Sequence, residues 1–72
     1  MQERQSTPVS NTYYDLVSTL YHSLESAQTY ATYVRDAQQS GDQNLAQFFQ
    51  VLQQNANQQA QQAQQFLTRF SQ

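Results

Sequence analysis

Three features of the 72-residue sequence predict an all-α fold: two long stretches with apolar residues at alternating steps of three and four, one Gly between them, and no Pro beyond Pro8. Such steps return to one face of a helix every turn, and Gly and Pro are the residues that end helices. The expected architecture is an antiparallel two-helix hairpin, about 11–39 and 43–70, that homodimerises into a four-helix bundle. Residues 1–9 are expected to form a flexible polar tail and 10–72 the hairpin.

In the first stretch the apolar positions are Tyr13, Val17, Leu20, Leu24, Ala27, Ala31 and Val34, one helical stripe. Ser10 is placed to cap its start, with Val9 and Tyr14 as a hydrophobic staple. Gly41 fits the end, where a left-handed residue closes a helix and a Cβ is resisted. The second helix starts at once, with either Asp42 or Ser40 as its N-cap. Its stripe reads Leu45, Phe49, Leu52, Ala56, Gln59, Ala63, Phe66 and Phe70, flanked by Phe48, Ala60 and Leu67. Each helix should be roughly 40 Å long, and a connection this short permits only an antiparallel return.

Folding the chain at Gly41 pairs positions whose numbers sum to about 83. Leu20 and Leu24 then face Ala63 and Ala60, Ala27 and Ala31 face Ala56 and Leu52, Val34 faces Phe49, and Tyr13 faces Phe70. Large residues meet small ones along the middle of the seam. Both helices are apolar over a wider arc than one partner covers. Leu16, Tyr30 and Ala37 on the first, with Phe48, Val51 and Phe66 on the second, form the flank expected to become the dimer interface.

Composition narrows the function classes. There is no Cys, hence no disulfide frame and no thiolate metal site, and so short a chain relies on helix packing or on association. Three Arg, no Lys and a net charge of −2 exclude the clustered basic face that nucleic-acid binding needs. No apolar run approaches the ~18 residues of a membrane span and no leader is visible, so the expected compartment is the cytosol. Gln supplies seventeen residues, twelve of them from Gln43 onward, and no charged residue occurs from Gln43 to Thr68. Gln is a good helix former, and here it alternates with apolar residues at helical spacing, so the excess reads as neutral helix surface.

From Leu20 to Ala63 the chain resembles one helical hairpin of the ferritin-like proteins of the rubrerythrin type, through Tyr30, Ala37, Gly41, Leu45-Ala46, Phe49 and Leu52. In that family two hairpins hold two iron ions with a carboxylate from the first helix and a Glu-x-x-His pair from the second. The resemblance places Ser23 at the first carboxylate, Ala56 at the Glu and Gln59 at the His. It therefore implies a ferritin-like scaffold without its metal ligands, because neither Ser, Ala nor Gln brings the charge such a site needs.

Remaining polar residues are few. His22 and Glu25 are an i, i+3 pair directed away from the seam, hence in water. Tyr33 lies on the outer face of the first helix beside Ser26, Thr29 and Asp36 and is the candidate contact for a different protein. Gln59 is the polar residue of the second stripe and the candidate for fixing register, as buried amides do in coiled coils. No Gly-rich phosphate loop and no nucleophile with an oriented base can be drawn. The expectation is a non-catalytic structural or interaction module whose partner is a second copy of itself or an unidentified protein. No cofactor or metal is expected. The competing class is a di-iron or other metal-dependent oxidoreductase on the same bundle, or a small regulator that docks onto a larger protein.

Overall fold

The computed structural model describes residues 11–70. Helix α1 spans Asn11–Gln39 and helix α2 spans Gln43–Phe70, in agreement with the expected limits. Ser10, Val9 and their capping and staple roles lie outside the described residues, as do the tail and the last two positions.

Three residues reverse the chain. Gly41 takes φ +82°, the left-handed region that penalises a Cβ. The Gly41 N–H donates to the Gln38 carbonyl at 3.0 Å and the Asp42 N–H to the Ala37 carbonyl at 3.0 Å. This paired arrangement satisfies carbonyls that the helix end would leave open. The N-cap of α2 is Asp42, whose Oδ1 accepts from the Leu45 N–H at 3.1 Å. Ser40 instead closes the end of the first helix, its hydroxyl donating to the Ala37 carbonyl at 2.9 Å.

The two helices run back along one another in the expected register. The Tyr13 and Phe70 rings meet edge to face, with centroids 5.7 Å apart, and close the open end. Midway, the Ser23 hydroxyl donates to the Gln59 amide oxygen at 3.4 Å. The pair sums are 83 and 82, so register is uniform along the hairpin.

The face turned inward differs from the expected stripe. Along α1 the buried residues are Ser23, Ala27, Val34 and Ala37, with Leu16, Leu20 and Tyr30 half-buried. Val17 and Leu24, placed in the seam by the sequence reading, are exposed, and Leu24 at 49% does not pack beneath Ala60. Along α2 the buried residues are Ala46, Ala56, Ala60 and Ala63, with Phe49, Leu52, Gln53 and Leu67 half-buried, while Leu45, Gln59 and Phe66 are exposed. Each helix is thus rotated about one side chain away from the stripe of its largest residues. The reason is steric. Small side chains on both facing ridges let the two backbones come close, and close packing recovers the dispersion that bulky residues would lose by holding the axes apart.

The molecule measures 51 × 26 × 12 Å. Its smallest dimension is one helix diameter, so the hairpin is a slab with two broad faces and a seam for a core. Thr19, Thr32 and Thr68 turn their hydroxyls back onto carbonyls four residues earlier, which leaves these outer positions satisfied without a partner helix.

Candidate functional site

Two arrangements of residues stand out. The first is the broad face carrying the large side chains of α2. Phe48, Val51 and Phe66 are 56%, 53% and 48% exposed, and Leu45 lies beside them. Phe66 is further covered by Arg69, whose guanidinium sits 4.9 Å from the ring centroid. Across the same face a shallow groove is lined by Leu16, Thr19, Gln59, Gln62, Ala63 and Phe66. On its α1 side a second groove holds Ser18, Thr19, His22, Ser23, Ser26 and Gln59.

Leu16 and Phe66, two of the residues expected at a dimer interface, line one groove on this face, and Phe48 and Val51 are exposed. Tyr30 is half-buried against the seam. Ala37 differs from the exposed flank expected of it: the hairpin itself leaves it only 3% exposed, at the floor of the groove beside the turn. It lies where α1 approaches the turn, and the chain returns directly over it.

Gln59 is also placed differently from its reading as a seam residue. It is exposed, at the rim between Leu52 and Phe66, with its amide oxygen reaching back to Ser23. The buried polar side chain is Ser23, and the amide that stands in the α2 seam is Gln53. Gln53 was missed because the spacing argument favoured the larger residues, whereas Ser23 was singled out only through the resemblance. The signal that finds Gln53 is its place in a three-four row of alanines, Ala46, Ala56, Ala60 and Ala63.

The second arrangement is at the turn. Tyr33 was expected on an outer face; its ring instead reaches α2 and sits 5.3 Å from the Phe49 centroid. Tyr30 extends this cluster on one side at 6.0 Å from Tyr33, and Phe48 on the other at 5.6 Å from Phe49. Tyr33 and Phe49 line an open groove of about 390 Å³ with Asp36, Ala37, Ser40 and Leu45. Tyr33 thus tethers the two helices near their connection and keeps part of its ring in water.

The chemistry available is limited. His22 Nδ1 and Glu25 Oε1 are 3.6 Å apart with both side chains largely in solvent. Their attraction is that of a surface pair, present only when the imidazole is protonated. Among the described residues no group of three His, Cys, Asp or Glu side chains comes together to hold a metal ion. The positions that the ferritin-like resemblance assigns to ligands do adjoin one another, Ser23 and Ala56 buried and Gln59 at the rim. A Ser hydroxyl donating to an amide oxygen has no base to activate it, because that oxygen is only weakly basic. No helix among the described residues is long and apolar enough to cross a membrane. Comparison of the chain with protein-family models, with curated proteins and with solved structures returned no match.

Proposed function

We propose that the chain is a non-catalytic self-association module, a homodimer that completes a four-helix bundle through the face bearing Leu45, Phe48, Val51 and Phe66. One observation carries this reading: Phe48, Val51 and Phe66 stand about half exposed while the fully buried residues of α2 are all alanine. Full burial of one such side chain contributes about 1.5–3 kcal/mol, so the exposed halves of the four on this face are worth roughly 3–6 kcal/mol to whatever covers them.

A second copy suits this face on electrostatic grounds. Between Gln43 and Thr68 nothing is charged, so apart from Arg69 beside Phe66 the α2 strip meets a second copy without repulsion. Self-association also supplies the burial that a slab one helix thick lacks.

Light scattering and sedimentation of the purified chain test the proposal. Twice the chain mass is expected, and Phe48→Glu with Phe66→Glu should return it to the single-chain mass with helical content retained. A wild-type protein that stays at the single-chain mass, or a double variant that remains dimeric, rejects the assignment.

A further inference from the structure

Beside its seam, α2 carries a second stripe at alternating steps of three and four, on the broad face that the proposed dimer uses. It opens with Leu45, Phe48 and Leu52, passes through the amides Asn55, Gln59 and Gln62, and returns to an apolar residue at Phe66. Leu52 is half-buried and the other six are exposed. The stripe is thus apolar at both ends and amide in the middle. The groove on this face also has the form of a coiled-coil hole. Gln59, Gln62, Ala63 and Phe66 border it at i, i+3, i+4 and i+7, the four positions between which one side chain of a facing helix inserts.

We infer that α2 packs antiparallel on α2 of a second copy in a single register, with facing positions summing to 114, and that the central amides select this register. The inference rests on the proposed dimer, whose two chains it orients. Antiparallel packing along such a stripe sets Phe48 on Phe66, Leu52 on Gln62 and Asn55 on Gln59 of the other copy, and the same three pairs recur beyond the two-fold axis. Leu52 then lies over the groove floored by Ala63. A slip of one heptad, to sums of 107 or 121, sets one ring on an amide, Phe48 on Gln59 or Phe66 on Asn55, and carries the other ring beyond the facing helix. Only the sum of 114 covers both rings and joins amide to amide. Gln59 is ready for that pairing. Its amide oxygen accepts from Ser23 at 3.4 Å, and its NH2 has no partner among the described residues, so it is free to donate to the Asn55 oxygen of the other copy. Amides within a coiled-coil stripe specify register at a cost in stability.

Charge and polarity favour the same arrangement. Arg69, stacked on Phe66, comes beside Leu45 and Asp42 of the other copy, a pair of opposite sign at the rim. The like-charged Asp15 and Asp36 come level only on α1, outside the α2 contact. The other face-to-face two-fold sets α2 on α1 instead. Its apolar ends would then rest on a polar row that includes Thr19, His22, Ser26 and Asp36.

The chain contains no Cys, so introduced cysteines report this geometry directly. Phe48→Cys and Phe66→Cys chains, mixed and mildly oxidised, should form a disulfide between the two variants. Neither should cross-link alone, since like positions lie roughly 27 Å apart along the axis. A nitroxide on Thr68→Cys keeps every stripe residue. Its distance in the dimer should be at least ~33 Å, against the ~20–24 Å of two helix diameters if α2 lies on α1. In that labelled chain, Asn55→Leu with Gln59→Leu should tighten association yet spread the distances by about 10 Å either way, one heptad of slip. The inference is overturned if either cysteine variant cross-links alone as readily as the mixture, if the nitroxides lie at the shorter distance, or if the leucines leave one sharp distance. In each case a dimer mass lost on Phe48→Glu with Phe66→Glu leaves the proposed function standing. Single-chain mass of the wild type rejects both.

Discussion

The turn depends on two residues whose jobs are separable. Gly41 has nothing within 4 Å of where a Cβ would stand, so its constraint is φ alone. Gly41→Ala should lower stability by about 1–2 kcal/mol, the cost of a left-handed alanine, with no repacking. Asp42 works through its carboxylate on the Leu45 N–H. Removing that acceptor in Asp42→Ala is expected to cost about 1 kcal/mol, while Asp42→Asn should restore most of it. Thermal unfolding of the three variants at one protein concentration checks both values. Gln59 is tested differently. Being exposed at the rim of the α2 face, it should accept Leu with hairpin stability changed by less than about 0.5 kcal/mol. Gln59→Leu joins Leu52 to Phe66 in one apolar row, so the measurable effect should be a tighter dimer by sedimentation. A large gain in stability without any change in association would instead place Gln59 within the hairpin core.

At the level of the helices, stability comes from a seam of alanines with aromatic pairs near both ends. Ala56 is buried opposite the middle of α1 and has no room for a longer side chain. Ala56→Leu is expected to cost about 1–3 kcal/mol through overpacking, even though it adds apolar surface. Gln53, half-buried in the same seam, should respond in the opposite way. Gln53→Leu should raise the melting temperature, by roughly 4–8 °C for each kcal/mol gained in a domain of this size. The two substitutions together distinguish a seam built on Ala46, Gln53 and Ala60 from one built on Leu45, Leu52 and Gln59. The latter would make Gln53→Leu neutral. Tyr33 and Phe49 add an aromatic tether beside the turn, and Tyr13 and Phe70 another at the open end, which keeps helices of this length from splaying where alanine contacts are sparse.

For the whole molecule, a slab 12 Å thick has only its seam for a core, and its second helix carries no charge from Gln43 to Thr68. If association supplies further burial, the melting temperature should rise with protein concentration. It should also be nearly independent of salt from low ionic strength to several times physiological, because screening acts on charges this stretch of α2 lacks. A melting temperature insensitive to concentration would identify the single hairpin as the stable unit. Much of this was legible from residue order alone. Both helices, their limits, the antiparallel return at Gly41 and the pairing of Tyr13 with Phe70 follow from spacing, one glycine and chain geometry, all of which act locally or through the shortness of the connection. The choice between Asp42 and Ser40 as N-cap, the inward turn of Ser23 and Gln53, the covering of Ala37 and the exposure of Val17, Leu24 and Gln59 were settled only when the helices packed. Periodicity defines a stripe to within about one side chain, since residues three and four apart are equally good neighbours on a helix. Which of two adjacent rows turns inward depends on how closely the backbones approach, and that is a property of both surfaces at once.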